Sequence, residues 1–255
     1  MKIATWNVNS LRVRLPQLTH WQAEEPLDIV ALQETKLPDT DFPGAELEAM
    51  GFHAVFSGQR TYNGVAILAR KPLDDVVAGI PGFEDDQKRV IAASCGDLRI
   101  IDVYVPNGQS LDSDKYQYKL RWLEALRGYV AAELQRHPRL IMLGDYNIAP
   151  EDRDVHDPKA WEGSVHVSEP ERAALHALTN TGLQDCFRLF EQPEKTYSWW
   201  DYRRVAFRRN AGLRIDLILA SEALAKNCVS CHTEKAIRAL ERPSDHAPVV
   251  ATFDI

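Results

Sequence analysis

The segment Leu140–Pro150, LIMLGDYNIAP, constrains the fold more than any other stretch of the chain. Its apolar residues Leu140 to Leu143 predict a short strand that is buried on both faces. Gly144 is expected to end that strand, and the polar residues Asp145 and Asn147 follow it. Polar side chains after a buried strand often bind ligands in α/β proteins, because the strand is rigid and the loop is open. An ordinary strand followed by an Asp/Asn turn would give the same pattern, so both interpretations stay open here.

The N-terminal region repeats this arrangement twice. Strands are predicted over Lys2–Trp6 and Asp28–Leu32, with a helix from about Val13 to Glu24 between them, and Asn7 and Glu34 follow the two strands. Parallel pairing of these strands around the helix would bring Asn7 and Glu34 together. Taken separately, Asn7 also fits a turn residue, and Glu34 fits a helix cap or an exposed loop acid.

The middle of the chain, from Phe52 to Val105, consists of short apolar runs separated by Gly, Pro and Asp, as in an antiparallel meander. Its last run ends at Tyr104, and Asn107 follows. A helix is then predicted over Asp114–Gln135, with Lys119 among its exposed residues, and a second helix from about Pro170 to Thr181.

The C-terminal third carries the remaining candidates. Trp199 belongs to the aromatic run YSWWDY, and Arg203, Arg204 and Arg214 follow it. Aromatic rings beside arginines suit stacking on bases and pairing with phosphates, although a solvated loop at a sheet edge fits equally well. In the predicted strand Arg214–Ala220, Asp216 is the only acid and should be paired or liganded. The adjacent Asp245 and His246 form a candidate acid/base or metal site, while a lone histidine is more often structural.

Composition limits the function classes. The net charge of −7 argues against a protein that coats nucleic acid non-specifically, and is compatible with an enzyme that carries a local basic patch. No stretch approaches the ~20 apolar residues of a membrane span, and the N-terminus lacks the apolar core of a secretory signal. We therefore expect a cytoplasmic protein with no membrane partner. No repeat or linker divides residues 1–255, so one domain is expected. The Cys228/Cys231 pair is interpreted as structural or incidental, since no second metal-binding pair accompanies it.

All the polar candidates lie at or just beyond predicted strand ends, so we expect an α/β fold in which two packed mixed β-sheets are flanked by helices. Carboxylates and amides without a cysteine or histidine cluster suit Mg²⁺ or Mn²⁺, with one or two carboxylates and substrate phosphate oxygens as ligands. This predicts a site that cleaves phosphate esters with water as the nucleophile.

Seven separated motifs, in chain order, carry a resemblance that runs from Lys2 to the C-terminus: WNVNSLR, LQETK, YVPNG, GDYNIAP, SWWDYR, GLRIDLILAS and RPSDHAPV. Together they resemble the exonuclease III family of DNA-repair nucleases, the relatives of the major AP endonucleases. The resemblance implies the four-layer α/β sandwich that the family shares with DNase I. It also implies 3′→5′ exonuclease activity on duplex DNA, cleavage 5′ to abasic sites, and removal of blocking 3′ groups.

The resemblance further implies a role for each matching residue. Glu34 would be the main metal ligand, with Asn7 and Asp245 close to the metal. Asp145 would orient and deprotonate the attacking water. The remaining candidates would contact the phosphate and its transition state: Asn147, His246, Tyr104 and Asn107. Asp216 would fix the tautomer of His246 and raise the pKa of its imidazole. We count Lys36, Trp199, Arg203, Arg204, Arg214 and His166 as further candidates for phosphate or DNA binding.

Some positions depart from parts of the family. Asn9 stands where certain relatives carry an aspartate near the metal, and Leu213 stands where some have a tryptophan that Trp199 would replace. His166 is predicted to crowd a flipped abasic sugar and to favour trimming of 3′ ends, unless it is only a solvated loop residue. The expected partner is double-stranded DNA with abasic sites, nicks or blocked 3′ ends, bound by a monomer. The alternatives are a phosphatase of the same fold and a non-catalytic nucleic-acid-binding regulator.

Overall fold

Two mixed β-sheets of six strands each pack face to face, with helices on their outer faces. The computed structural model describes all residues, 1–255. The strands are β1 Lys2–Asn7, β2 Ile29–Gln33, β3 His53–Ser57, β4 Val65–Ala69, β5 Asp74–Ala78, β6 Val90–Cys95, β7 Leu98–Tyr104, β8 Leu140–Asp145, β9 Leu183–Asp185, β10 Asp216–Ser221, β11 Cys228–Thr233 and β12 Val249–Phe253. The helices are α1 Leu11–Glu24, α2 Gly44–Ala49, α3 Asp114–Arg136, α4 Pro158–Trp161, α5 Glu169–Thr179, α6 Glu222–Ala225 and α7 Lys235–Arg238. The predicted four-layer sandwich is confirmed.

Each sheet contains one parallel pair of strands at its centre. The first sheet has the order β11-β12-β1-β2-β4-β3, and the second has the order β5-β6-β7-β8-β10-β9. The β1–β2 and β7–β8 pairs are parallel, while the other neighbours are antiparallel. Each parallel pair is joined through a helix, α1 in the first sheet and α3 in the second, as parallel connections require.

The central strands β1, β2, β7 and β8 are buried along almost their whole length because both of their faces are covered. In β2, Ile29 and Ala31 pack into the interior between the sheets, whereas Val30 and Leu32 pack under the outer helix layer. The second sheet alternates in the same way, with Ile141 facing inward and Met142 facing the helices. This alternation explains why the continuous apolar runs of the sequence predicted strands buried on both faces.

Two expectations about the strands differ from the structure. Gly144 does not end β8 but lies inside it, paired with Val103 of β7. A Cβ atom at Gly144 would lie 1.9 Å from the Val103 carbonyl oxygen, so the close approach of the two strands requires glycine there. The predicted meander is also divided, because β3–β4 belong to the first sheet and β5–β7 to the second.

Lys119 was expected on the exposed face of its helix, and this is wrong. Its side chain has no exposed surface, and its ammonium group lies beneath the loops that follow β7 and β8. The helix itself agrees with the prediction to within one residue at its C-terminal end. No helix in the structure combines the length and apolar character that crossing a lipid bilayer requires.

Candidate active site

One edge of the sandwich collects the polar ends of strands from both sheets. The parallel pair β1–β2 ends there with Asn7 and is followed by Glu34, and the parallel pair β7–β8 ends there with Tyr104 and Asp145. The antiparallel strand β10 begins at the same edge, with Asp216 directly opposite Asp145. Strand topology therefore gathers residues that are far apart in sequence.

Asn7 joins the two sheets at this edge. Its amide nitrogen donates to Glu34 Oε1 at 2.8 Å and to Asp145 Oδ2 at 2.9 Å, and its side-chain oxygen accepts from the backbone N–H of Asn9. The predicted neighbourhood of Asn7 and Glu34 is therefore observed. Asn7 presents hydrogen-bond donors to the carboxylates, so its position suits holding them in place rather than acting as a metal ligand.

Asp145 is the most constrained carboxylate of the site and is 1% exposed. Its Oδ1 accepts from the backbone N–H of Asn147 at 2.9 Å, and Asn147 donates from its side chain to the Val105 carbonyl oxygen at 3.0 Å. Asn147 has a φ of +49°, a left-handed conformation that asparagine tolerates better than most residues. The tight turn after β8 therefore holds Asp145 and Asn147 in one arrangement.

His246 lies between two carboxylates. Its Nδ1 is 2.9 Å from Asp216 Oδ2, and its Nε2 is 3.7 Å from Asp145 Oδ2. Because a carboxylate accepts at Nδ1, the ring carries a proton there and directs Nε2 towards the open side of the site. The predicted role of Asp216 as the partner of the imidazole agrees with this geometry.

The protonation properties of these groups differ sharply. Burial raises the pKa of Asp145 to about 7; Asp216 contributes to this rise and the His246 charge opposes it. Burial alone would lower the pKa of His246, but Asp216 and Asp145 outweigh it and raise that pKa to about 10. Burial would also raise the pKa of Glu34, yet Lys36 and the hydrogen bond from Asn7 bring it below its usual value. A base near neutrality thus lies between a charged imidazole and an ionised carboxylate.

Tyr104 and Asn107 line the same opening from the end of β7. Burial, together with the charges of Glu34 and Asp145, raises the pKa of Tyr104 well above its usual value, so its phenol stays a hydrogen-bond donor. The Arg89 guanidinium lies 4.6 Å from the Tyr104 ring centroid. Asn107 is exposed, and its amide nitrogen lies 3.3 Å from the side-chain oxygen of Asn147.

His166 is buried beside Asn147 rather than solvated, with 7% exposure. Its Nδ1 lies 2.7 Å from the Asn147 carbonyl oxygen, which can only accept, so the proton is on Nδ1. Its Nε2 then accepts from Asn107, 3.4 Å away. Burial and the Lys119 charge lower the pKa of His166 to about 4, so the ring is neutral. The rings of Trp161 and Trp199 lie 6.0 and 6.4 Å away and complete an aromatic pocket.

The other predicted ligands and contacts lie around this centre. Asp245 accepts from Trp199 Nε1 at 3.0 Å and from Asn9 at 2.9 Å, and it lies outside the closest group of metal-binding atoms. Lys36 pairs with Glu34 at 2.9 Å and also bonds Asn9. Asn9 therefore connects Lys36 to Asp245 as a neutral hydrogen-bonding residue.

The arginines divide into two groups. Arg203 and Arg204 are exposed on the loop after the aromatic run and line an opening near Trp199 and Trp161. Arg214 is different: it is 1% exposed and pairs with Asp154 at 2.6 Å and Asp185 at 2.8 Å. The expectation that Arg214 binds DNA is therefore corrected, because its buried guanidinium is already paired with the carboxylates of Asp154 and Asp185.

Sequence reasoning missed three residues that shape the site. Trp161 packs against His166, while Lys119 and Glu171 form a buried ion pair directly beneath it. A signal for Lys119 was present, since it lies three residues before Trp122 on the apolar face of the helix. Glu171 ends the capping-box pattern Ser168-x-x-Glu171, which marks the start of a helix but not a buried ion pair. No pattern marked Trp161.

The donor set fits a hard divalent cation. Oxygen atoms of Glu34 and Asp145 and a ring nitrogen of His246 lie within 4.8 Å of one another. Two carboxylates suit Mg²⁺ or Mn²⁺, which take few protein ligands and complete their shell with water and phosphate oxygens. Glu34, the ionised carboxylate, would hold the ion beside Asp145, while His246, protonated and paired with Asp216, is better suited to a phosphate oxygen.

Comparisons with known proteins agree with this geometry. The chain is similar to the 3′ phosphatase NExo from Neisseria, solved bound to product DNA hairpin, with 49% identity, a TM-score of 0.98 and full coverage of both chains. It is also similar to an AP endonuclease from Archaeoglobus fulgidus, with 41% identity, a TM-score of 0.96 and full coverage of both. Exodeoxyribonuclease III of Haemophilus influenzae is 37% identical, over 99% of this chain and 100% of that protein.

The names of these relatives differ in the activity they state, although the two solved structures superpose closely on this one. The family model that matches the chain spans residues 4–246 and therefore includes every residue of the site from Asn7 to His246. By this match the chain is a member of the Endonuclease/Exonuclease/phosphatase family, in its exonuclease III and AP endonuclease branch.

Proposed function

We propose that this protein is a divalent-metal-dependent DNA-repair nuclease that hydrolyses phosphodiesters of duplex DNA. The observation that supports this best is the contact between the two sheets, where Asn7 holds Glu34 and Asp145 within hydrogen-bonding distance of a single amide. A buried carboxylate with a pKa near neutrality lies beside an ionised one.

In this proposal each side chain acts on one part of the reaction. Asp145 accepts the proton of the attacking water, since its pKa of about 7 matches the pH at which a general base is effective. His246 stays protonated through Asp216 and donates from Nε2 to a phosphate oxygen, and Asn147 orients the same phosphate. Tyr104 donates to the developing charge. A Mg²⁺ or Mn²⁺ ion bound at Glu34 would supply positive charge to the phosphate and the leaving oxygen.

The proposed substrate is double-stranded DNA with nicks, blocked 3′ ends or abasic sites. Asn107 is exposed at the mouth of the pocket, and Arg203 and Arg204 extend from the loop beside Trp199. These groups suit phosphate contacts on an otherwise acidic protein. We further propose that residues 1–255 act as one domain, because the interior between the sheets combines strands from both halves of the chain. A monomeric state and a cytoplasmic location are part of the same proposal.

His166 supports a preference among the activities that the relatives' names state. Its neutral ring lies between Asn107, Asn147 and the two tryptophans, and so occupies part of the aromatic pocket. An extrahelical abasic sugar would compete with this ring for space. We therefore propose that removal of blocked or ordinary 3′ ends is favoured over cleavage at abasic sites.

The test uses one purified sample on three DNA duplexes: one with a recessed 3′ end, one with a 3′-phosphate at a nick, and one with an internal abasic site. We expect nucleotide and phosphate release from the first two, abolition by EDTA and recovery on addition of Mg²⁺. Asp145→Asn is expected to lose activity by several orders of magnitude while it still binds duplex DNA. Near-normal turnover by that variant would overturn the assignment of the base.

Two alternatives would give different results in the same experiment. A phosphatase of this fold that acts on lipid headgroups would release phosphate from phosphoinositides and leave the duplexes intact. A non-catalytic regulator would bind duplex DNA without any EDTA-sensitive hydrolysis. The complete set Glu34, Asp145, Asn147, Asp216 and His246 weighs against the regulator.

A further inference from the structure

A buried ammonium group lies directly behind the proposed phosphate pocket. Lys119 of α3 has no exposed side-chain surface, and its Nζ donates to the carbonyl oxygens of Asn107 at 3.2 Å and of Asn147 at 2.7 Å. Its third partner is Glu171 Oε1. All three hydrogens of the ammonium are used, so the lysine connects the loop after β7, the loop after β8 and helix α5.

Glu171 extends the same network to the loop that carries His166. Its Oε1 accepts from the backbone N–H of His166 at 3.0 Å, and its Oε2 accepts from the backbone N–H of Ser168 at 3.1 Å. The His166 ring then bonds back to the Asn147 carbonyl oxygen, which also accepts from Lys119. This ion pair therefore holds the backbone of the three loops that carry Asn107, Asn147 and His166, whose side chains lie close together.

Stability alone is a weak explanation for this pair. Removing two charges from water costs several kcal/mol, and apolar residues of similar volume often serve a folded protein as well or better. The ion pair provides direction, because its charged hydrogen bonds hold two carbonyl oxygens and two N–H groups at fixed angles. We therefore expect the ion pair to matter chiefly for the geometry of the loops around the proposed phosphate site.

A second buried ion pair on the same helix provides a comparison. Arg99 Nε lies 2.6 Å from Glu133 Oε2, with side-chain exposures of 3% and 2%. Glu133 is fourteen residues after Lys119 in α3, about 20 Å along the helix axis. The other bonds of Arg99 go to the Asp75 carbonyl oxygen and to Ser94, on β5 and β6. The Arg99–Glu133 pair is therefore nearly as buried as the Lys119–Glu171 pair, but it makes no contact with the site.

We propose that Lys119 and Glu171 are positioning residues, which hold the backbone of Asn107, Asn147 and His166 as one rigid frame for the scissile phosphate. Neither residue touches the substrate, and both act through the loops they bond. The inference rests on the proposed nuclease function. A misplacement of the order of 1 Å in such a frame is enough to reduce the rate about 10²-fold without weakening binding.

The experiment compares wild type, Lys119→Met/Glu171→Gln and the matched control Arg99→Met/Glu133→Gln. Each double variant removes a buried charge pair without leaving a lone buried charge; the control also frees Arg136, which pairs with Glu133 but is 64% exposed. The glutamine at position 171 keeps an acceptor for the His166 N–H. Release of nucleotides from a recessed duplex end is measured with Mg²⁺ to obtain kcat and KM, and Tm is measured on the same samples. We expect kcat of the first variant to fall about 10- to 100-fold, with KM within about threefold of wild type. We expect kcat of the control to stay within about threefold of wild type.

A kcat of the first variant within threefold of wild type would overturn the proposal, as would an equal loss in the control at the same decrease in Tm. If the first double variant does not fold, Glu171→Gln alone decides. If the amide N–H of the glutamine takes the place of Oε2, the two hydrogen bonds that Ser168 donates there are lost. If the amide turns the other way, its N–H faces the Lys119 ammonium. In either orientation one loop loses a hydrogen bond that holds it in place. We expect at least about a fivefold loss in kcat, and an unchanged kcat would reject the idea. A wild-type protein without metal-dependent nuclease activity would instead reject the proposed function.

Discussion

The two sheets contribute carboxylates of opposite character to the same site. Glu34, after β2 of the first sheet, has a side chain that is 18% exposed and pairs with Lys36. Asp145, at the end of β8 of the second sheet, has a side chain that is 2% exposed, and another carboxylate, Asp216, lies opposite it in the register. The pKa of Glu34 is lowered, whereas burial raises that of Asp145 to about 7.

This difference teaches how one residue type can perform two tasks. An ionised, partly exposed carboxylate suits a cation, and a buried carboxylate that gains a proton near neutral pH suits a general base. Asn7 donates to both and keeps them apart at a fixed separation. Each of the following predictions alters one side of this comparison.

The largest effect is expected from exchanging each carboxylate for its amide. Asp145→Asn should reduce kcat on a recessed duplex by about 10³-fold or more at every Mg²⁺ concentration, because the proton acceptor is lost. Glu34→Gln should shift the Mg²⁺ dependence to higher concentration and recover part of its activity at high Mg²⁺. Titrations of activity with Mg²⁺ for both variants test this. The comparison would fail if high Mg²⁺ rescued Asp145→Asn and not Glu34→Gln.

A smaller effect is expected from the partner of the imidazole. Asp216→Asn removes the charge that most raises the pKa of His246, so the ring should lose its proton well below pH 10. The variant should lose about 10- to 100-fold in kcat at pH 8 and less at pH 6, where the ring is still charged. A pH profile of kcat tests this, and parallel profiles for variant and wild type would contradict it.

The same pair also predicts a pH dependence of stability. A histidine whose pKa is raised in the folded state stabilises the protein fully below the unfolded value of about 6.5. That contribution is lost as the pH rises through about 10. The free energy of unfolding of wild type should therefore exceed that of Asp216→Asn most below pH 6.5, and denaturant titrations measure the difference.

The smallest effect concerns the aromatic pocket on the side of the second sheet. His166→Gly should raise cleavage of an abasic duplex about tenfold and change 3′-phosphate release by no more than a few-fold. His166 has a φ of +77°, a conformation that glycine adopts without strain, so the substitution should not distort the loop. His156→Ala, in the neighbouring loop, is the control. Abasic cleavage that stays at the wild-type level in His166→Gly would end the idea.

The sequence alone determined the layers of the fold and the edge at which the polar candidates of the first sheet meet. Apolar runs such as LIMLG and DIVAL are stable as strands only when both faces of the strand are covered. In this fold the other sheet covers one face and helices cover the other. The proximity of polar residues at strand ends could also be predicted, because parallel neighbouring strands end at the same edge of a sheet. Asn7 and Glu34 lie close together as predicted. These features depend on local periodicity and on the short reach of the backbone between neighbouring strands.

Only the tertiary structure decided the states of the buried polar groups. Lys119 was expected in solvent and Arg214 on DNA, yet each is buried against acids that lie far away in sequence, Glu171 for the lysine and Asp154 and Asp185 for the arginine. A charge is buried only where a partner compensates for its lost hydration, and the sequence around it does not reveal that partner. For the same reason the folded environment, and not the residue type, gives Glu34 and Asp145 their different pKa values.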